Sequence, residues 1–233
     1  MDNRTLYLDL LKKSLTDLIY EPMTRARYEG TDPHLTRAHT MIGIRRLDNI
    51  HECFDNIVKD NIEGDLIEAG VWRGGATIFM AGLTKAYGED RTVFVADSFE
   101  GLPKPDEQKY PADQGDMHWT YKDLSISFDE VKSNFEAYDL LCDNVKFLKG
   151  WFKDTLPTVQ KPLCMIRLDG DMYQSTWESL ENLYKHLSVG GYVIADDWLL
   201  KGARRAIEDF RLTNNIYDDI QYINEHSVFW RKS

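Results

Sequence analysis

The chain has 233 residues, of which 42% are hydrophobic, and its formal net charge is −11. A chain of this length can bury one sizeable core, and its acidity disfavours nucleic acid and anionic membranes as partners, because both bind to basic surfaces. The three cysteines are widely spaced without a CxxC pair, which argues against a disulfide framework or a thiolate zinc site. Lacking a signal-peptide core or an apolar run of spanning length, the sequence predicts a cytoplasmic protein that acts on a small molecule.

Residues 1–60 predict a helical extension of the main domain. Apolar residues recur at helical spacing from Leu6 to Tyr20 and from Arg45 to Asp60. The connection from Thr24 to Leu35 has few apolar residues and predicts irregular structure. The amphipathic first helix needs a partner surface, either its own domain or a second subunit. We expect Arg45 and Arg46 to lie on a solvated helix face.

From Gly64 onward, short apolar runs alternate with helical segments, which is typical of βαβ units and a parallel sheet. The predicted strands are Asp65–Ala69, Thr92–Ala96, Val145–Lys149, Leu163–Leu168 and Tyr192–Ala195, and the predicted helices are Ala76–Tyr87, Phe128–Leu141, Ser175–His186 and Ala203–Asn215. Two brief runs, Ile220–Ile223 and Ser227–Trp230, predict an antiparallel hairpin at the sheet edge. Residues 61–233 therefore predict one Rossmann-like α/β domain with a mostly parallel sheet.

One insertion, residues 102–125, interrupts this alternation. It is rich in Pro, Asp, Lys, Gly and aromatic residues and has no convincing periodicity. A structureless segment of this length inside a compact domain is usually functional or disordered. Because it follows the second strand, at the edge where open α/β sheets bind ligands, it predicts a lid.

A glycine-rich turn follows the first strand and predicts a cofactor site, because it presents backbone N–H groups and a positive helix end to a ligand. The turn is not GxGxxG, and Glu68 precedes its first glycine, Gly70. An acid there would repel a pyrophosphate but suits the ammonium group of an amino acid. Asp97 and Phe99 end the second strand, where they suit a ribose diol and an adenine face. These features favour a methionine-derived cofactor, and Trp151 after the third strand either covers the adenine or belongs to the core.

Acidic residues follow two further apolar strands. Asp169 and Asp171 come after Leu163–Leu168, and Asp196 and Asp197 come after Tyr192–Ala195. Carboxylates clustered at adjacent strand ends repel one another unless a cation lies between them, so a metal site is the first hypothesis. The alternative is that these acids only form a helix start and a polar turn.

These segments resemble the S-adenosylmethionine-dependent O-methyltransferases of the macrocin, mycinamicin and novobiocin type. The resemblance rests on GDLIEAGVWRGGATIFMAG, VADSFEGLP, RLDGDMYQSTWESL and GGYVIADDW, and it extends from residue 6 to about residue 198. It implies a class I methyltransferase fold, S-adenosylmethionine and Mg²⁺ as cofactors, and a hydroxylated natural product or sugar as acceptor. It also implies a mobile lid and a homo-oligomer assembled through the N-terminal helices.

Carried over by position, the resemblance implies that Asp169, Asp196 and Asp197 bind the metal and that Asp171 is the general base, with His118 of the insertion as the rival base. The predicted cofactor contacts are Thr40, Met41, Glu68, Gly70, Trp72, Gly74, Ala76, Asp97, Ser98, Phe99, Trp151 and Asp169. Two alternatives remain open. A nicotinamide-dependent oxidoreductase is disfavoured by the missing GxGxxG, and a non-catalytic cofactor-binding module is disfavoured by the complete set of presumed ligands.

Overall fold

The computed structural model describes residues 2–32 and 37–233 and contains one seven-stranded sheet. Its strands are β1 Asp65–Ala69, β2 Val93–Asp97, β3 Val145–Lys149, β4 Leu163–Leu168, β5 Leu187–Ala195, β6 Gln221–Tyr222 and β7 Val228–Arg231. Their order is β3-β2-β1-β4-β5-β7-β6, with parallel pairing as far as β5 and antiparallel pairing of β7 with both neighbours. The predicted mixed α/β sheet with a C-terminal antiparallel hairpin is confirmed.

Helices cover both faces of the sheet. They are α1 Asn3–Leu15, α2 Arg25–Glu29, α3 Gly43–Lys59, α4 Gly75–Tyr87, α5 Phe128–Ala137, α6 Phe152–Thr155, α7 Tyr173–Leu183 and α8 Lys201–Thr213. Successive strand residues point to opposite faces, so Leu66 of β1 packs with the helices α1, α3, α4 and α5, whereas Ile67 packs with α7 and α8. No helix in the described ranges combines the length and apolar character needed to cross a membrane.

The N-terminal extension shares the core of the main domain. Leu8, Leu11 and Leu15 of α1 are buried and belong to the same apolar cluster as Ile50 of α3 and Phe79 of α4. Of the two partner surfaces considered for the first helix, its own domain and a second subunit, the helix packs on its own domain. The opposite face of α1 stays exposed.

Helix ends differ from their predicted positions by a few residues, with α1 ending at Leu15 rather than Tyr20 and α5 at Ala137 rather than Leu141, and two segments differ more. Residues 25–29 form the short helix α2 where we expected irregular chain, because the Thr24 hydroxyl accepts a hydrogen bond from the Arg27 N–H at 3.2 Å and Gly30 ends the helix at φ +72°. Residues 33–36 of that connection lie outside the described residues. Strand β5 begins at Leu187 rather than Tyr192, because Leu187 already pairs with Leu163 of β4 across a register shift.

The sheet register brings the predicted site segments to one edge. Ala69 of β1 pairs with Leu168 of β4, and Leu168 pairs with Ala195 of β5, so the residues that follow these strands are neighbours. Gly70 has φ +89°, and a Cβ there would lie 1.8 Å from the carbonyl oxygen of Asp169. Only glycine allows this close approach, which places the glycine turn directly beside the acids after β4.

Candidate active site

A cavity of about 430 Å³ opens at this edge of the sheet, between the glycine turn and the acids. Gly101, Leu102, Pro103, Lys104 and Leu124, from the insertion and its approach, contribute to its wall. The predicted site residues that line it are Thr40, Met41, Glu68, Gly70, Trp72, Ala76, Asp97, Ser98, Trp151, Asp169, Asp171, Asp196 and Asp197. The structure thus brings most of the predicted cofactor residues and the predicted acid cluster together in one cleft.

Asp97 organises the turn on the cofactor side of the cavity. Its Oδ2 accepts a hydrogen bond from the Val71 N–H at 2.8 Å, and its Oδ1 accepts one from the Phe99 N–H at 2.7 Å. Burial raises the pKa of Asp97, although these backbone hydrogen bonds act in the opposite direction. Each carboxylate oxygen has further lone-pair capacity, so a ligand hydroxyl can still bind there.

The N-terminal extension reaches the cavity through Thr40 and Met41. The chain just before them is fixed to the start of α4, because the Gly75 N–H donates to the His39 carbonyl at 2.8 Å. A Cβ at residue 75 would lie only 2.3 Å from that oxygen. Thr40 is buried, whereas Met41 is exposed on the rim.

The insertion is tied to the glycine turn. The Trp72 indole Nε1–H donates to the carbonyl of Asp123 at 2.9 Å. The insertion itself consists of irregular chain with three short 3₁₀ turns, Pro111–Asp113, His118–Thr120 and Lys122–Leu124. Five of its residues line the cavity, among them Leu102 and Leu124. Residues 102–125, the predicted lid, are called the lid below.

Three predicted site residues do not line the cavity. Gly74 caps α4 at φ +86° and faces Val131. Phe99 is buried and packs edge-on against Phe128 with ring centroids 5.3 Å apart, so it belongs to the core. His118 is held within the lid, where its Nδ1 lies 2.8 Å from Asp116 Oδ2.

Arg167 is a buried cation at the centre of the acid cluster. It lies on β4 and is only 1% exposed. Its Nη1 contacts both Glu68 and, at 2.6 Å, Asp169 Oδ2, and its Nη2 forms an ion pair with Asp196 Oδ2 at 2.9 Å. From its sequence, we expected this strand to be apolar. The missed signal was the arginine itself, since a charge inside a buried strand requires a carboxylate partner.

Arg46 is a second buried cation, and the expectation that it is solvated was wrong. Its Nη1 contacts Asp196 Oδ2 at 2.6 Å, while its Nη2 donates to the Gly30 carbonyl at 2.8 Å. Arg46 lies at helical spacing from Asn49 and Cys53, which are both buried, so it belongs to the buried face of α3. Arg45, one position round the helix, is partly exposed and pairs with Glu29 at 2.9 Å.

The two acids after β5 therefore differ in charge environment. Burial disfavours ionisation of Asp196, but Arg46 and Arg167 outweigh it and lower the pKa of Asp196 to about 2. The Ser227 hydroxyl also donates to Asp196 Oδ1 at 2.7 Å. Asp197 has no ion pair within the described part of the chain, and burial together with repulsion from Asp171, Asp169 and Asp196 raises its pKa well above the usual value.

Asp171 stands beside Asp197 at the start of α7. Its backbone N–H donates to Asp197 Oδ2 at 2.8 Å. Burial raises the pKa of Asp171 to about 6; the charge of His118 acts to lower it, and the charge of Asp116 acts to raise it. Lid and acid cluster are therefore electrostatically connected.

The acids do not converge on one point in this conformation. Across residues 2–32 and 37–233, no three acidic, imidazole or thiol groups are arranged so that they could hold a metal ion. The side chain of Asp196 is turned toward Arg46 and Ser227. The donor type and the excess negative charge at Asp169 and Asp197 nevertheless suit a hard divalent cation.

Residues 23–232 match the family described as Macrocin-O-methyltransferase (TylF). The enzyme 8-demethyl-8-(2,3-dimethoxy-alpha-L-rhamnosyl)-tetracenomycin-C 4'-O-methyltransferase from Streptomyces olivaceus is 46% identical, covering 99% of this chain and 94% of its own. Demethyldecarbamoylnovobiocin O-methyltransferase from Streptomyces niveus is 43% identical, covering 98% of this chain and 94% of its own.

A solved structure agrees with these matches. The O-methyltransferase NovP is 45% identical and superposes with a TM-score of 0.93, covering 99% of this chain and 100% of its own. The prediction of an O-methyltransferase is therefore confirmed over the nicotinamide-dependent and non-catalytic alternatives. The chain belongs to the macrocin-O-methyltransferase (TylF) family.

Proposed function

We propose that this enzyme transfers a methyl group from S-adenosylmethionine to a hydroxyl group of a sugar or another natural product, with Mg²⁺ bound at the acid cluster. The observation that carries the proposal is the shared cavity, in which the glycine turn and Asp97 face the same space as Asp169, Asp171 and Asp197. A donor bound at the turn and an acceptor bound at the acids would therefore meet.

The cofactor would lie along the glycine turn. Asp97 would accept hydrogen bonds from the ribose diol, and Thr40 and Met41 would cover the methionine part. Glu68 lines the cavity and would attract the ammonium group of the cofactor. Its carboxylate also accepts hydrogen bonds from Arg167 and from the Thr77 hydroxyl. Trp151, which starts α6 and lines the same cavity, would pack against the adenine.

Asp171 would act as the general base. Bound S-adenosylmethionine supplies a methyl group on a good leaving group, so the protein must chiefly hold the acceptor oxygen in line and remove its proton. A carboxylate whose pKa is raised by burial is a stronger base than an ordinary one, which suits this role. Asp116 and His118 lie nearby on the lid and would adjust the charge around it.

The residues that would hold Mg²⁺ are Asp169, Asp197 and Asp196. Asp197 has the strongest claim, because it is buried among carboxylates with no cation paired to it in the described chain. Asp196 would have to turn away from Arg46 and Ser227 to take part. An Mg²⁺ ion held by these residues would offer coordination positions to two neighbouring acceptor oxygens and would lower the pKa of the acceptor hydroxyl.

The acceptor class rests on the relatives. By their names, the relatives described above act on a rhamnosyl tetracenomycin and on demethyldecarbamoylnovobiocin. The cavity is also lined by Pro103 and Lys104 of the lid and by Gln174 of α7. These polar and apolar groups suit a hydroxylated acceptor.

Two measurements test the proposed function. Calorimetric titration should show binding of S-adenosylmethionine and none of NAD, and the reverse result would refute the cofactor assignment. A methyl-transfer screen over glycosylated and hydroxylated natural products should give turnover with Mg²⁺. Asp197→Ala or a chelator should abolish that turnover while cofactor binding persists, and turnover that resists chelation would show that the acid cluster is structural.

We also propose that the protein forms a homodimer or larger assembly through α1. Leu6 and Leu10 are 58% and 55% exposed on the face of α1 that points away from its own domain. Light scattering coupled to gel filtration should give a multiple of the chain mass, and Leu6→Glu with Leu10→Glu should reduce it. A monomer in the unmodified protein would refute this assembly.

A further inference from the structure

A buried carboxylate of the lid reaches the start of α7. Asp113 ends the 3₁₀ turn Pro111–Asp113 and is 2% exposed. Its Oδ1 accepts a hydrogen bond from the Tyr173 N–H at 2.6 Å, and its Oδ2 accepts one from the Gln174 N–H at 2.9 Å. A lid residue thus satisfies two of the backbone donors that a helix leaves unpaired at its N-terminus.

Helix α7 has no local side-chain cap of its own. Met172 occupies the position before the helix, and its side chain makes no capping hydrogen bond. Helices usually begin with Ser, Thr, Asp or Asn at this position, because a side-chain oxygen accepts from the first N–H groups. A carboxylate is further favoured there by the helix dipole. Asp113 takes over this role from outside the helix.

The surrounding chain leaves room for this carboxylate. Gly202 in the first turn of α8 lies beside it, and a Cβ at residue 202 would be 2.9 Å from Asp113 Oδ1. The start of α7, the start of α8 and the lid therefore meet around one side chain. Burial raises the pKa of Asp113, and its two backbone hydrogen bonds act in the opposite direction.

The helix start that Asp113 caps also carries the proposed base. Asp171 lies two residues before Tyr173 and has φ +61°, a left-handed conformation that is uncommon for non-glycine residues, although Asp adopts it more often than most. Capping the N–H groups of Tyr173 and Gln174 fixes the chain immediately after Asp171. The orientation of the Asp171 carboxylate therefore depends on the lid.

The same anchor places the other charged lid residues. The Asp116 N–H donates to the Asp113 carbonyl at 3.0 Å, and the Asp116 carboxylate accepts from the His118 backbone N–H at 2.8 Å. Asp113 does not itself line the cavity, so it acts on the site only through these neighbours.

We propose that Asp113 is a positioning residue that couples lid closure to the geometry of the catalytic base. When the lid is closed, its carboxylate completes the N-terminus of α7 and holds Asp171 toward the acceptor. When the lid opens, α7 loses its cap and Asp171 loses its support. The consequence for catalysis rests on the proposed function of Asp171, whereas the anchoring of the lid does not.

The test compares Asp113→Ala, which removes both acceptor oxygens, with Asp113→Asn, which keeps one good capping oxygen. The matched control is Asp123→Ala, which removes the same charge from an exposed position of the same lid. Tryptic cleavage after Lys109, which is followed by Tyr110, reports lid opening without any acceptor. Melting temperature, affinity for S-adenosylmethionine and, once an acceptor is found, kcat and KM are measured for each variant.

We expect Asp113→Ala to be cleaved in the lid about tenfold faster than the unmodified protein, with Asp113→Asn in between and Asp123→Ala unchanged. Cofactor affinity should change by less than about threefold, because the glycine turn does not depend on this cap, while kcat falls about tenfold or more. Unchanged lid cleavage in Asp113→Ala would overturn the proposal. So would a fall in kcat that the Asn variant does not partly restore. Failure of the proposed function would instead appear as absence of methyl transfer by the unmodified protein, with the cleavage result intact.

Discussion

Arg167 gives the sharpest test of how the acid cluster is stabilised. The guanidinium is buried and contacts Glu68, Asp169 and Asp196 at once. Arg167→Met keeps the length and most of the volume of the side chain but removes its charge. In this variant Asp196 still has its ion pair with Arg46, and Glu68 still accepts a hydrogen bond from the Thr77 hydroxyl. Glu68 and Asp169 lose their cationic partner.

The expected cost follows from what those carboxylates can do. Removing one member of a buried ion pair typically destabilises a protein by about 3 to 5 kcal/mol. A buried carboxylate that has lost its cation can escape part of this penalty by taking up a proton. At pH 7 that uptake costs about 3.7 kcal/mol for an unfolded-state pKa near 4.3. We therefore expect Arg167→Met to lower the free energy of unfolding by about 3 to 5 kcal/mol at pH 7.

The stability lost in Arg167→Met should depend on pH, and the protonation of Glu68 determines the direction of that dependence. In the variant, the folded-state pKa of Glu68 rises further above its unfolded value, so the folded protein binds a proton that the unfolded chain releases. Stability of the variant relative to the unmodified protein then increases as the pH falls. The loss should shrink to about 1 kcal/mol at pH 5, since each pH unit changes the cost of protonation by about 1.4 kcal/mol.

Urea denaturation of metal-free protein at pH 7 and pH 5 measures this difference. The matched control is Arg205→Met, which removes an arginine whose side chain is 64% exposed and which pairs with Asp209 on the surface of α8. That control should leave the midpoint unchanged. A loss below about 1 kcal/mol at pH 7 would refute the charge argument, since breaking a buried pair costs several times more. A loss of equal size at both pH values would show that packing, not charge, is responsible.

Three further predictions concern binding and catalysis. Arg46→Met should raise the affinity for Mn²⁺, measured by titration calorimetry, because it removes a cation that competes for Asp196; unchanged affinity would mean that Asp196 is not a ligand. Trp72→Phe removes the hydrogen bond to the Asp123 carbonyl and should speed proteolysis of the lid while the melting temperature stays the same, whereas an unaltered lid would show that the contact is dispensable. The rate of methyl transfer should fall as the pH decreases through about 6, because Asp171 must be ionised to accept a proton. Asp171→Asn should be inactive at every pH. If this variant were active and its rate fell over the same pH range, another residue would be the base.

The sequence was informative where local pattern and sheet topology act together. Asp169 and Asp196 could be placed beside each other because carboxyl ends of parallel strands meet at one edge, and their strands do pair directly. The limits of β1, β3 and β4 were predicted correctly because each is a short segment in which apolar residues predominate, bounded by turn-forming residues. The start of β5 was missed because Gly190 and Gly191, which usually end structure, here continue a strand with β4 and β7 on either side.

Long-range contacts were beyond the reach of pattern. Asp113 and Tyr173 are 60 positions apart, and no local pattern links the two residues to each other. The missing cap was the available clue, because Met172 stands where a capping residue is expected. Phe99 shows the opposite error, since an aromatic residue after a strand is as suitable for a core as for an adenine, and here it packs against Phe128.

The charges in the acid cluster make Asp197 a stronger candidate metal ligand than Asp196. Sequence alone predicts that clustered carboxylates need positive charge, but it does not tell whether side chains or an ion provide it. In the fold, Arg167 supplies positive charge to Glu68. Arg46, which is 150 positions away in the sequence, supplies it to Asp196. Asp197 receives none within the described residues and keeps a raised pKa. A divalent cation is therefore needed most at Asp197, and the divalent affinity of Asp197→Asn should fall further than that of Asp196→Asn.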